Sequence, residues 1–136
     1  DDIVERINNA QQRIDMLAFA FTSDSIADAL IAARDRGVAV RGVMESRNVK
    51  GTGSEFAKMR DAAIDFQADG NCYIMHNKVV IIDGQTVITG SFNFTRAAQE
   101  ANDENVLIID DRSLAGRYTE EFERIYQQAL QPPRCG

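Results

Sequence analysis

The chain has 136 residues, 44% of them hydrophobic and 26% charged, with a formal net charge of −6. That length suits one soluble domain burying roughly 68–70% of its unfolded surface, and the acidic balance excludes a surface coated with basic patches for tight nonspecific duplex binding while leaving room for a local phosphate site. No apolar run approaches the roughly 18 residues of a membrane span, and the opening residues do not read as a signal peptide, so the compartment stays open between cytoplasmic and exported.

Residues 2–12 read as a short amphipathic helix, with Ile3, Val4 and Ile7 on one side and Glu5, Arg6 and Asn9 on the other. Residues 14–21 read as a strand whose apolar side chains fall on both faces, as in a sheet covered on two sides. Thr22, Ser23 and Asp24 supply N-cap candidates for the next helix, Ile26, Ala29, Leu30 and Ala33 form its apolar stripe, and Gly37 ends it. A strand over 38–44 follows directly, which makes a β-α-β unit with a parallel pair and a right-handed crossover. Loops beyond the carboxyl ends of such strands carry function, so 45–53, with Arg47 and Lys50, is either a substrate-contact loop or a solvated connection. A helix over 54–63, a short strand over 64–67 and turn residues at 68–71 lead to the middle of the chain. Beyond it, 94–101 reads as a brief helix or structured loop, 104–110 as a strand through Val106 to Ile109, and 113–130 as a closing helix. Leu114, Tyr118, Phe122, Ile125 and Leu130 of that helix face the sheet, and Pro132-Pro133 stops it. Cys72 and Cys135 fit no zinc motif; two cysteines neither demand nor forbid a disulfide, and two free thiols are the favoured reading.

The informative stretch is 73–105. His76, the only histidine, stands two residues from Lys78 on a segment where Tyr73 and Val79 to Ile82 favour a strand. Side chains at i and i+2 of a strand share a face roughly 6.6 to 6.8 Å apart, so an imidazole and an ammonium point into one space. Asp83-Gly84 is a hairpin signal that returns the chain through Val87, Ile88 and Thr89. The return brings Gly90, Ser91 and Asn93 to the end of the sheet where His76 and Lys78 lie. Gly90 allows close approach of a ligand, while Ser91 and Asn93 add neutral hydrogen-bond donors. Together these groups describe an anion site containing a nucleophile. Asp83 reads as structural, because strand parity turns it away from His76 and Lys78.

The pattern His76-x-Lys78-x4-Asp83-x6-Gly90-Ser91-x-Asn93 resembles the HKD motif of the phospholipase D superfamily. Asn102 to Asn105 is similar to the acidic element that closes that motif, and Ala18 to Ser23 with the helix after it looks like the family's opening unit. The resemblance covers nearly the whole chain and implies an α/β/α sandwich with a mixed, largely parallel central sheet, as a single domain over 1–136. It implies that His76 attacks phosphorus to give a covalent phosphohistidine that water or an alcohol resolves. Lys78 would neutralise phosphate oxygens, Ser91 and Asn93 would contact the phosphate, and Glu104 would orient His76 by bonding its Nδ1 side. It also implies metal-independent chemistry with no cofactor.

The family's mechanism uses two histidines, so the single one here predicts either a homodimer with both motifs beside its axis, as in single-motif bacterial endonucleases, or one half of a longer chain with two motifs. The start at Asp1 fits a trimmed chain. Gly90 to Thr95 looks most like the short bacterial endonucleases, which points to nucleic-acid phosphodiesters. Phospholipid hydrolysis or transphosphatidylation is the second enzymatic reading, and a non-catalytic phosphate-binding scaffold the third.

Overall fold

The central strands carry apolar side chains at successive positions, so both faces of the sheet must be covered. The computed structural model describes residues 2–73, 75, 77–90, 94 and 106–135. Its elements are α1 (Asp2–Asn8), β1 (Arg13–Ala18), α2 (Asp24–Asp35), β2 (Ala39–Met44), a 3-10 turn (Ser46–Asn48), α3 (Phe56–Asp61), β3 (Asp65–Ala68), β4 (Lys78–Ile82), β5 (Thr86–Gly90), β6 (Val106–Asp110) and α4 (Arg112–Leu130). The sheet order is β3-β2-β1-β4-β5-β6. β1 pairs with β2, and β2 with β3, in parallel, while β4, β5 and β6 join as antiparallel neighbours. The mixed sheet and the β-α-β unit are those expected, but the sheet is not largely parallel: three of its five strand pairings are antiparallel, because the β4–β5 hairpin and β6 join it without crossover helices.

Period-two alternation sorts the strand residues into two cores. Ile14, Met16 and Ala18 of β1 and Val80 and Ile82 of β4 pack with Ile3 and Ile7 of α1, Ile26 and Leu30 of α2, and Met59 of α3. Leu17, Val43, Val79, Ile81 and Val87 point the other way, onto Ala115, Phe122 and Ile125 of α4. The result is an α/β/α sandwich. Ser23 caps α2 by accepting the Ile26 N–H at 3.3 Å, and Asp111 caps α4 by accepting the Leu114 N–H at 3.1 Å.

Arg41 pins α4 to the sheet. Its guanidinium donates to Asp15 Oδ1 at 3.0 Å and to Glu123 Oε1 at 2.6 Å, and lies 4.9 and 5.1 Å from the Phe122 and Tyr126 ring centres. Burial pushes the Asp15 carboxyl above its usual range even with Arg41 beside it.

Three further expectations need correction. Leu130 does not face the sheet but is 46% exposed. At 3.6 residues per turn it is rotated about 80° from Phe122, whereas Tyr126 and Ala129 stay on the stripe and pack against the core. β4 begins at Lys78 rather than near Tyr73, because the Tyr73 N–H turns to Asn71 Oδ1 at 2.9 Å and the Met75 N–H to Glu45 Oε2 at 3.1 Å, away from the ladder. The cysteines are not free thiols: Cys72 and Cys135 form a disulfide with Cα atoms 5.4 Å apart across a sequence separation of 63. Closing a loop of that size restricts the unfolded chain by about 4 kcal/mol.

Candidate active site

One end of the sheet gathers the carboxyl ends of β1, β2, β3 and β5 and the amino ends of β4 and β6. This follows from the register, which sets Ala18 beside both Met44 and Lys78, and Gly90 beside Val106. Thr89 lies opposite Val79, and its hydroxyl donates to the Lys78 carbonyl at 3.0 Å. The hairpin thus returns Gly90 to the level of Lys78, as its turn predicts. Gly90 has φ +141°, a region that only glycine enters without strain.

Lys78 is half-buried, and its Nζ lies 5.7 Å from the ring centre of Phe19, the residue following β1. An ammonium over an aromatic face is held electrostatically, an arrangement suited to neutralising a phosphate oxygen. His76 stands two positions before Lys78 in the chain, Ser91 directly after Gly90, and Glu104 two positions before Val106. These three residues and Asn93 lie outside the described residues.

Phe94 is described, and reading the sequence did not single it out. It is 1% exposed and bridges Phe21 in parallel. Its carbonyl accepts the Thr22 and Ser23 N–H groups at 2.8 and 3.1 Å. The chain just after Asn93 is therefore fastened beside the end of β1. Phe19 belongs to the apolar run Met16 to Phe21 and Phe94 stands between Asn93 and Thr95, and no local signal separates either from an ordinary core position.

Three further carboxylates, all of them buried, belong to the same end. Glu45 follows β2, is 1% exposed, and accepts from the Met75 N–H and, at 3.3 Å, from the Ser46 hydroxyl. Glu55, whose N–H donates to the Phe21 carbonyl at 2.9 Å, is 4% exposed. Burial, with hydrogen bonding and repulsion from Asp24, pushes its pKa up to about 7 against the pull of Lys58. Asp69, after β3, is raised by burial and by the charge of Glu45, opposed by the Asn71 N–H. Among the described residues no three of His, Cys, Asp and Glu cluster closely enough to hold a metal ion, and no helix is long and apolar enough to cross a membrane.

Asp83 lies at the other end of β4. Its carboxylate accepts the N–H groups of Gln11, Gln12 and Arg13 at 2.9, 2.7 and 3.0 Å, so its contacts are those of a structural residue.

A family model described as a cardiolipin synthase, PLD-like domain matches residues 3–126. A phospholipase D of Rickettsia prowazekii is 43% identical over 120 residues, covering 88% of this chain and 58% of that protein. A mitochondrial cardiolipin hydrolase of Xenopus tropicalis is 36% identical over 119 residues, covering 88% of this chain and 57% of its own length. The chain thus spans less than two thirds of these two relatives. Among solved structures, Nuc from Salmonella typhimurium, a phospholipase D family member, superposes with a TM-score of 0.87 at 38% identity, over 93% of this chain and 85% of that one. With the family model matching nearly end to end and the fold shared, the chain belongs to the phospholipase D superfamily.

Proposed function

We propose that this domain is a metal-independent phosphodiesterase working through a phosphohistidine. The observation that carries the reading is Lys78, held at the one sheet end from which the chain runs into His76, Ser91, Asn93 and Glu104. The His76 Nε2 lone pair attacks phosphorus and the bond to the leaving oxygen breaks, leaving a phosphoramidate that water then cleaves. Lys78, Ser91 and Asn93 hold the phosphate oxygens as charge moves onto them, and Glu104 fixes the imidazole tautomer.

A second histidine protonates the leaving oxygen, and this chain has one. We place the second on another copy of the chain, making one domain per subunit; the other arrangement is a second motif in a longer polypeptide. Val106 and Leu107 on the edge strand β6 are 38% and 56% exposed, apolar area that suits an isologous contact beside the site. Leu107→Lys is expected to lower the association constant at least about tenfold, measured by sedimentation.

Nucleic-acid phosphodiesters are the favoured substrate, supported by the Gly90 to Thr95 segment and by likeness to Nuc. Phospholipid is the second reading, favoured by the names of the lipid-hydrolase relatives and by the acidic charge. The disulfide supports an exported location, since such bonds persist in oxidising compartments.

The test is turnover of bis(4-nitrophenyl) phosphate in excess chelator across a range of protein concentration, with His76→Ala as control, then plasmid against phosphatidylcholine and cardiolipin vesicles. Activity that survives chelator, rises per subunit with concentration and vanishes in the variant is expected. Loss of activity to chelator sinks the proposal.

A further inference from the structure

The chain enters His76 from the connection between β3 and β4, whose described residues form no strand. Such a connection is a poor support for a nucleophile, because a misplacement of about 1 Å can cost on the order of 100-fold in rate. Several contacts hold this one. Glu45 Oε2 accepts the N–H of Met75, one peptide before His76, at 3.1 Å. The backbone of Glu45 is itself tied to the sheet end, its N–H donating to the Ala18 carbonyl at 3.0 Å. At the far side, Cys72 is bonded to Cys135 in the tail beyond α4. Gly70 presses on the end of α4 so closely that a side chain there would collide with the Gln128 carbonyl and Pro132.

Glu45 is an expensive residue for a packing role. At 1% exposure a carboxylate loses its hydration, and among the described residues its side-chain partners are neutral, the Met75 N–H and the Ser46 hydroxyl. A methionine or leucine would fill the space without that cost. What an apolar side chain lacks is the acceptor for Met75, and a charged acceptor makes that bond about twice as strong as a neutral one.

We infer that Glu45 is a positioning residue for His76, acting through the Met75 backbone, with the Cys72–Cys135 disulfide holding the same connection from its other side. The inference rests on the catalytic role proposed for His76. Neither group touches substrate. Both limit how far the backbone that bears the imidazole is displaced, because consecutive Cα atoms lie about 3.8 Å apart and a shift of Met75 passes directly to its neighbour.

The experiment compares the full chain with Glu45→Ala, Glu45→Gln, Cys135→Ser and His76→Ala by kcat and KM on bis(4-nitrophenyl) phosphate. The proton NMR spectrum of the imidazole is recorded for every chain that keeps His76; with one histidine in the chain, that resonance needs no assignment, reads its surroundings independently of substrate, and is absent from His76→Ala. Glu45→Ala is expected to lower kcat about 30- to 100-fold with KM within about twofold, and to shift or broaden the imidazole signal. Glu45→Gln keeps an acceptor for Met75 and is expected to stay within about threefold, while Cys135→Ser lowers kcat about three- to tenfold.

A folded Glu45→Ala with unchanged kcat and resonance overturns the inference, as does an equal loss in Glu45→Gln. Should Glu45→Ala not fold, Cys135→Ser carries the test, and an unmoved resonance and kcat there overturn it. His76→Ala retaining full activity removes the catalytic reading and this inference with it. An inactive His76→Ala beside unaltered Glu45→Ala and Cys135→Ser removes this inference alone.

Discussion

The two ends of the β4–β5 hairpin are built on opposite terms. At the turn end, Asp83 and Gly84 both take positive φ, 56° and 63°, and the polar groups around them are matched. Three backbone N–H groups meet the Asp83 carboxylate, and Asp110 accepts from the Thr86 hydroxyl at 2.6 Å and from Arg6 at 3.0 Å. At the other end, Lys78 stands over Phe19 and the chain leaves the ladder, with Glu45 and Glu55 buried nearby. Charge that contributes stability sits at the turn. At the other end the charge of Glu55 costs stability, and it sits beside the proposed chemistry, the usual placement of groups kept for function.

The sharpest way to break this contrast is to exchange the consequences. Lys78→Met is expected to lower kcat about 1,000-fold while the melting temperature moves by no more than about 2 °C, because the lost charge acts on the transition state and not on the fold. A large drop in melting temperature with modest kinetic loss would mean that this end is structural too.

Asp83→Ala is expected to do the reverse. It strands three N–H donors and puts alanine at positive φ, so urea denaturation should show a loss of about 2–3 kcal/mol with kcat per folded molecule unchanged. Asn, which tolerates that φ and keeps one acceptor, should lose about half as much.

The smallest effect separates the ends by sign. Burial opposes ionisation of Asp83, but its three N–H partners outweigh it and hold the carboxyl below its usual range. Its contribution is therefore present above the ordinary value of about 4 and lost as pH falls through the lowered pKa. Glu55, raised from 4.5 to about 7, binds a proton more tightly when folded. Stability should thus decline as pH rises from 4.5 to about 7, by on the order of 2 kcal/mol, and level off above. Glu55→Gln should flatten that decline in a pH series of denaturation curves and leave the acid limb in place. An unchanged slope would mean that the pair with Asp24 does not titrate there.

What could be read along the chain was whatever neighbours in sequence decide. Apolar residues at successive positions of β1 and β4 required a sheet covered on both faces, Asp83-Gly84 required a reversal, and Ser23 ahead of the Ile26 to Ala33 stripe required a helix start. The spacing of His76, Lys78, Gly90 and Asn93 was enough to place the chain in its family. Only the tertiary structure decided the contacts between segments far apart. Cys72 meets Cys135 because α4 crosses the sheet before its tail turns back. Glu45 turns inward because Met75 leaves the ladder and needs an acceptor, and Phe94 anchors to Phe21 although seventy-odd residues intervene. Periodicity and turn chemistry are properties of a few consecutive residues, whereas a buried acceptor or a disulfide exists only once the packing has brought its partner within reach.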